Sequence, residues 1–198
     1  MKTISLPLSL FITTLLTACA QPGANTPSVT TPVYLSESAL PLDWPAPGPF
    51  YQVTRKQYPA YRAAFTASSS ANGGFWTLFK HIKRNNIPMT APVEMAMKDV
   101  PDGGMTMQQM GFLYQSPAVG KTGADGATVD VRDMPAVDVL SYAWQGPRDD
   151  AAVAKAKAAI DTVVGEKKLR TSGYRLFGYN SPSISRKKQT FELQAILK

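Results

Sequence analysis

The chain has one cysteine and one histidine among its 198 residues. A zinc site built only from Cys and His needs at least three such residues, and an internal disulfide needs two cysteines, so both are excluded. Metal chemistry would therefore have to arrive with a cofactor. Charged residues are sparse at 18%, whereas 44% of residues are hydrophobic and 10% aromatic. This composition excludes extensive disorder and, at this length, predicts one globular domain with a sizeable core.

The N-terminus predicts an export signal. Lys2 is followed by an apolar run over residues 6–16 and by small residues before Cys19, which is typical of a signal peptide. The run is about half of the ~20 residues that a membrane-spanning helix needs. The tetrad LTAC ending at Cys19 resembles the lipobox of bacterial lipoproteins, in which the cysteine is acylated and becomes the new N-terminus. The alternative is a cysteine that lies by chance beside an ordinary cleavage site.

We therefore predict a lipoprotein signal peptide over residues 1–18, a lipidated Cys19 with a proline-rich tether over 19–49, and a folded domain over 50–198. Two or three acyl chains anchor a protein stably in a membrane. The domain is then expected in the cell envelope, facing the periplasm, and Ala20 after the cysteine indicates the outer membrane in a Gram-negative source. Within the tether, Trp44 is a possible anchor for the stretch 41–49, which we expect to run extended over the domain surface.

The formal net charge is +7. Basic residues cluster at 80–84, 167–170 and 186–188, and we interpret these clusters as solvated faces, with contact to anionic lipid or an anionic ligand as the alternative. An exported lipoprotein rarely meets nucleic acid, so no nucleic-acid partner is expected.

Hydrophobic periodicity predicts two similar halves. In the first half, strands over 51–54 and 61–66 precede a helix over 73–86, whose apolar residues Phe75, Leu78, Phe79 and Ile82 share one face. Pro88 cannot lie inside that helix, so the helix is expected to end about a turn earlier. Strands over 91–97 and 105–114 complete a β-β-α-β-β unit.

The second half follows the same order, with strands over 128–132 and 136–144, a helix over 147–168, and strands over 174–179 and 190–197. The spacing from a valine to Pro-Ala at 53–60 recurs at 129–136, an offset of 76 residues, which favours duplication of the unit. The predicted fold class is α+β: two β-β-α-β-β units forming a distorted eight-stranded antiparallel barrel flanked by two helices. A ligand site is expected between helix and sheet or in the barrel mouth.

Two segments resemble the SOUL heme-binding protein family. The first is the helix FWTLFKHIKRN at 75–85 followed by IPMTAPV at 87–93, and the second is GYRLFGYNSP at 173–182 together with Glu192 in the last strand. The resemblance covers residues 51–197. It implies a duplicated, distorted antiparallel barrel with two helices, and non-covalent binding of heme or a related tetrapyrrole in a hydrophobic cleft whose wall is the first helix.

The resemblance also indicates which residues to examine. A porphyrin is a flat apolar disc with two propionates and needs an apolar slot with cations at its rim. We expect the slot and its rim to be formed by Phe75, Phe79, Lys80, Lys83, Arg84, Met89 and Tyr179. The alternative role of any methionine is packing in the core. His81 lies off the apolar stripe and is expected to be exposed or at the cleft edge, where imidazole is a candidate axial ligand of heme iron.

Two other function classes stay open. Proteins with a similar duplicated barrel include effector-binding domains, a few of which hydrolyse their ligand with a buried glutamate and an aromatic partner. Glu192 with Tyr179 is a candidate pair for such chemistry, unless Glu192 is a structural carboxylate bonded to backbone or to Arg175. The third possibility is a ligand-free module that binds another protein through an apolar patch. No serine-hydrolase elbow, zinc-protease helix, phosphate loop or dinucleotide fingerprint is present, so an enzyme is the less favoured interpretation.

Overall fold

A computed structural model describes residues 31–67, 71–101 and 104–198. The predicted signal peptide and Cys19 lie outside these residues. The strands are β1 Val53–Tyr58, β2 Tyr61–Thr66, β3 Val93–Asp99, β4 Met105–Leu113, β5 Gly123–Asp125, β6 Val129–Met134, β7 Val137–Gln145, β8 Thr171–Gly178 and β9 Thr190–Leu197. The helices are α1 Ala71–Arg84 and α2 Asp150–Glu166, with a short 3-10 turn at Arg186–Lys188. No helix in the described part of the chain is long and apolar enough to cross a membrane.

All nine strands form a single antiparallel sheet in the order β1-β7-β9-β8-β3-β4-β2-β6-β5. β1 and β5 are its edges, so the sheet is open. The α+β class is confirmed, but the predicted eight-stranded barrel is wrong. β5, which was not predicted, pairs with β6 and occupies the edge at which β1 would have to join to close the sheet.

The eight predicted strands are arranged symmetrically in the sheet. If each strand of one half is replaced by its counterpart in the other half, the same order results, read from the opposite edge, and only β5 has no counterpart. β1 of the first half pairs with β7 of the second, β6 of the second pairs with β2 of the first, and β3 and β8 meet at the centre. This exchange is what a duplicated unit would produce, and the duplication itself stays a prediction.

The helices begin and end where the local sequence requires it. The side chain of Asp149 caps α2 by accepting a hydrogen bond from the backbone N–H of Ala152 at 2.9 Å. α1 ends at Arg84, before Asn86 takes a left-handed conformation at φ 51° and Pro88 excludes helix. Both helices therefore lie within about four residues of their predicted bounds.

The two faces of the sheet are covered by different parts of the chain. α1 packs on a cluster around Leu78, Ile82 and Phe112, and α2 on a cluster around Ile160, Leu176 and Leu193. Met95 of the second cluster and Met110 beside the first are cross-strand partners, so both helices cover the same face. We call it the helix face.

The opposite face, which we call the strap face, holds a third cluster and is covered by residues 33–49, which we call the strap. Trp44 in the strap is buried and packs on Tyr58, Tyr61 and Phe177 at centroid distances of 4.8, 5.1 and 5.6 Å. The expectation that Trp44 anchors this proline-rich stretch is confirmed. The backbone N–H of Leu42 donates to the carbonyl of Gln115 at 2.8 Å, which fixes the strap next to the end of β4.

Candidate functional site

α1 divides its apolar side chains between the sheet and a groove. Leu78 and Ile82 are buried against the sheet. Phe75 and Phe79, one helical turn apart, lie half-buried on the flank and stack on each other with centroids 6.1 Å apart. Trp76 meets both rings edge to face at 5.6 and 5.8 Å and is 60% exposed. Phe75 and Phe79 therefore line one wall of an open groove, and Trp76 lies beside them.

The groove lies between α1, the segment that leads into β3, and the loop that follows β8. Its volume is about 170 Å³. Four residues that the sequence analysis selected lie in this one groove, although they come from three separate segments: Phe75, Phe79, Met89 and Tyr179. The groove is smaller than the roughly 300–1,000 Å³ of sites that enclose a drug-sized ligand. It can hold one edge of a flat molecule, not enclose it.

The wall opposite α1 combines the strap with the loop after β8. Glu37 of the strap accepts hydrogen bonds from the backbone N–H and the hydroxyl of Ser181, both at 2.8 Å. These bonds hold the pKa of Glu37 below its usual range, and the bond from the backbone N–H has the larger effect. The amide of Asn180 donates to the carbonyl of Leu35 at 2.6 Å. The groove thus has a carboxylate on this side.

A second cavity of about 310 Å³ adjoins the first, and Phe79 and Met89 line both. Lys83 lines this cavity, and its ammonium lies 5.8 Å from the centroid of the Phe79 ring. The two cavities are therefore separated by the side chains of Phe79 and Met89, of which Met89 is the flexible one, and the larger cavity has one cation in its lining.

The other two predicted rim cations lie elsewhere. Arg84 donates to the carboxylate of Asp125 at 2.5 Å, because its position on α1 turns it toward β5. Arg84 and Lys80 therefore line neither of the two cavities, and their place at the rim of a cleft stays a prediction. Lys83 is the predicted cation that lines the cavity beside the groove.

His81 is buried, at 4% exposure, and the expectation that it lies exposed or at the cleft edge is wrong. Its Nε2 lies 2.7 Å from the hydroxyl of Tyr114, and its Nδ1 pairs with the carboxylate of Asp125. Burial, and then the charge of Asp125, raise the pKa of Tyr114 to about 12. Both ring nitrogens are thus engaged on the side of α1 away from the groove, and His81 serves to hold α1 against β5.

Glu192 lies on the strap face and is completely buried. Its Oε1 accepts hydrogen bonds from Ser141 at 2.5 Å, from Tyr58 and Gln194 at 2.8 Å each, and from the ammonium of Lys56 at 3.1 Å. Its Oε2 accepts from Lys56 at 3.1 Å and from Tyr179 at 3.2 Å. Burial, and then the charge of Glu192, raise the pKa of Tyr58 and Tyr179.

This arrangement leaves Glu192 little capacity to react. Its two oxygens accept from one ammonium, three hydroxyls and one amide, which is the satisfied state of a structural carboxylate. The expectation that Glu192 bonds to the backbone or to Arg175 is wrong. Arg175 donates from Nε to Gln194 at 2.8 Å and from Nη1 to the hydroxyl of Tyr61 at 3.0 Å. Tyr61 in turn donates to the buried carboxylate of Glu94 at 2.6 Å.

Sequence reasoning missed one residue of the groove, Glu37, and one aromatic residue beside it, Trp76. Trp76 was passed over because it lies off the stripe that faces the sheet, although its i, i+3 spacing from Phe79 was a usable signal. Glu37 carried no signal, because nothing in the sequence places the strap beside the loop after β8.

Heme is the cofactor that the resemblance implies, and the described residues fit it in part. The groove offers aromatic and thioether surface for a macrocycle, and the adjoining cavity offers one ammonium for a propionate. Two side chains of iron-ligand type line the groove, Met89 and Tyr179, and the hydroxyl of Tyr179 already donates to Glu192. Among the described residues, no group of three His, Cys, Asp or Glu side chains is placed to hold a metal ion.

Comparison with solved structures gives likenesses of fold. A hydrolase from Listeria innocua matches with a TM-score of 0.55 at 14% identity, over 76% of this chain and 94% of that chain. An uncharacterized conserved protein from Listeria innocua matches with a TM-score of 0.56 at 13% identity, over 76% and 94%. The C-terminal domain of EcmrR matches with a TM-score of 0.55 at 14% identity, over 75% and 98%. At these identities the likeness shows the fold alone.

No curated protein matches the sequence significantly. The family model of the SOUL heme-binding protein, in contrast, matches residues 46–192, which include the sheet from β1 to the start of β9, both helices and most of the groove. The resemblance inferred from two short segments is therefore confirmed over most of the chain, which belongs to the SOUL heme-binding protein family.

Proposed function

We propose that this protein binds heme or a related tetrapyrrole non-covalently in the groove beside α1. The observation that carries the proposal is the convergence of Phe75, Phe79, Met89 and Tyr179 on one groove in a chain of this family. Membership of a heme-binding family supports a tetrapyrrole in general, and the aromatic wall supports a flat ligand.

In this proposal the macrocycle lies along the Phe75–Phe79 stack with one edge in the groove. Trp76, which is mostly exposed, covers part of the outer face of the ligand. Lys83 meets a propionate by a charge-assisted hydrogen bond. The carboxylate of Glu37 faces the edge of the ring that carries no propionate, because two carboxylates at one site repel each other. When bound, heme would supply the iron, and the chain supplies shape, apolar surface and one cation.

Two matched lysines test this geometry. Lys83 and Lys80 are both exposed cations on α1. Lys83 lines the larger of the two cavities, and Lys80 lines neither. The full chain and the variants Lys83→Ala and Lys80→Ala are titrated with hemin and with metal-free protoporphyrin, followed by absorbance. Loss of the charged contact costs about 1–2 kcal/mol, so Lys83→Ala should weaken binding about 5- to 30-fold for both ligands. Lys80→Ala should bind like the unaltered chain.

Equal affinities of both variants would refute the proposed orientation. No saturable binding of hemin or protoporphyrin by the unaltered chain would refute the function itself, and would favour a protein partner on the exposed aromatic surface. Similar binding of both ligands by the unaltered chain would indicate that the groove recognises the macrocycle rather than the iron.

We also propose that the domain is lipid-anchored through Cys19 in the cell envelope, facing the periplasm. The LTAC tetrad and the short apolar run before it support this placement. Cys19→Ser should move the chain out of the membrane fraction of its host and abolish labelling by palmitate. Unchanged fractionation and labelling would refute the anchor.

A further inference from the structure

Another cavity lies on the helix face, at the N-terminal end of α2 and separate from the groove. It measures about 240 Å³ and is bounded by the end of β3, the start of β4 and the first turn of α2. Three of its lining side chains are methionines, Met97, Met105 and Met107. Five of the eight methionines of the chain lie on β3 and β4, so the concentration of thioethers here is a property of this hairpin.

The strand register places the three methionines side by side. Met97 of β3 is the cross-strand partner of Met107 of β4, directly after an irregularity in the register between Ala96 and Met97, and cross-strand partners lie within side-chain contact of each other. Met105 lies two residues from Met107 on the same strand and therefore points to the same face. Each side chain has three rotatable bonds. Three sulfur atoms can thus approach one point inside the cavity.

The cavity is lined by charged residues of both signs, the guanidinium of Arg148 and the carboxylates of Asp149 and Asp150. The Nη1 of that arginine donates to the sulfur of the neighbouring Met95 at 2.9 Å, so one guanidinium is held on a sulfur outside the trio. The three methionines are partly buried rather than sealed in the core, which leaves them accessible from solvent.

Thioether sulfur is a soft, neutral ligand that favours Cu(I) over zinc, calcium or magnesium. It carries no proton to displace, unlike the thiol, imidazole and carboxyl groups of other metal sites. We propose that Met97, Met105 and Met107 form a binding site for a soft monovalent metal ion, Cu(I) or its analogue Ag(I). Such a site needs neither cysteine nor histidine and so differs from the zinc sites that the composition excludes.

Silver nitrate is the probe, because Ag(I) does not change oxidation state in air. The full chain is used with the change Cys19→Ser, so that no thiol competes. Calorimetric titration in chloride-free buffer should show one Ag(I) bound per chain. The double change Met97→Leu with Met107→Leu should weaken binding at least tenfold. The matched control is Met134→Leu on β6, which should bind Ag(I) like its parent.

Leucine replaces methionine at similar volume and usually costs less than about 1.5 kcal/mol per site, so we expect the double variant to fold, and its circular dichroism will show this. If the double variant does not fold, the Ag(I) affinity of the single variant Met107→Leu is compared with that of the parent and of Met134→Leu instead. Absence of saturable Ag(I) binding by the parent would overturn the proposal, as would equal affinity in the double variant or an equal loss in the control. Zn²⁺ that displaces Ag(I) would also overturn it, since carboxylates would then be the ligands. Hemin affinity should be the same in all variants, which separates this site from the groove.

Discussion

Replacing Glu192 by Gln should destabilise the protein through the lysine that it leaves behind. The ammonium of Lys56 lies 3.1 Å from both carboxylate oxygens, and its side chain is 9% exposed. Gln keeps the shape of the side chain and one acceptor oxygen, but not the charge. Removing one partner of a buried ion pair costs about 3–5 kcal/mol, because the other charge stays in a poorly solvated place. Since Lys56 also donates to the carbonyl of Ala46 at 3.0 Å, we expect the lower end, about 3 kcal/mol.

The double change Lys56→Met with Glu192→Gln provides the control. It removes both charges while the apolar stem of residue 56 is kept, and such replacements are often neutral. The double variant should therefore be more stable than Glu192→Gln alone, by about 1–2 kcal/mol. The assay is urea unfolding with linear extrapolation of the free energy of unfolding. A cost below 1 kcal/mol for Glu192→Gln, or a double variant less stable than the single one, would refute the structural role.

Three further predictions concern the strap, α1 and the buried tyrosines. Trp44→Ala should lower the free energy of unfolding by about 3–5 kcal/mol in the same urea assay, whereas Trp76→Ala, which removes a mostly exposed ring, should cost less than about 1 kcal/mol; similar losses would contradict the docking of the strap. His81→Ala should lower stability by about 1–3 kcal/mol by leaving Tyr114 without its partner, yet leave the absorption spectrum of bound hemin unchanged; a changed spectrum would show that His81 reaches the iron. Burial raises the pKa of Tyr58, Tyr61 and Tyr179 above the ordinary 10, so their protonated forms stabilise the fold fully below pH 10 and this contribution falls as pH rises above 10. The melting temperature should therefore fall as pH rises from about 10 to about 12, together with a rise of tyrosinate absorbance on unfolding, and a profile that stays flat over this range would contradict their burial.

The parts of the fold that the sequence predicted are those set by local pattern. Proline and helical spacing placed α1 and α2, and alternation placed eight strands. β5 was missed because its three residues, Gly-Ala-Asp, are too few and too small to show alternation. Without β5 nothing in the sequence predicted an occupied edge at β6, and a closed barrel was the natural expectation.

The site shows the same division between local and long-range information. Phe75 and Phe79 were found from periodicity on one helix, and Met89 and Tyr179 from short family-like segments. The position of His81 depends on β5 and Tyr114, which are distant in sequence. Its polarity suggested exposure, but a buried histidine is stable where both ring nitrogens have partners. Periodicity cannot supply those partners.

The wall that carries Glu37 belongs to the strap, which has no place in the sheet or in either helix. Substitutions at exposed strap positions such as Glu37 disturb no strand register and no helix packing, whereas Tyr34, Leu40 and Trp44 pack on the sheet. Ligand preference in this groove can therefore diverge between related chains through the strap alone, while the sheet and α1 stay the same. Two members with near-identical folded cores can then differ in what they bind, and a chain cut at residue 50 would be an incomplete representative of its own specificity.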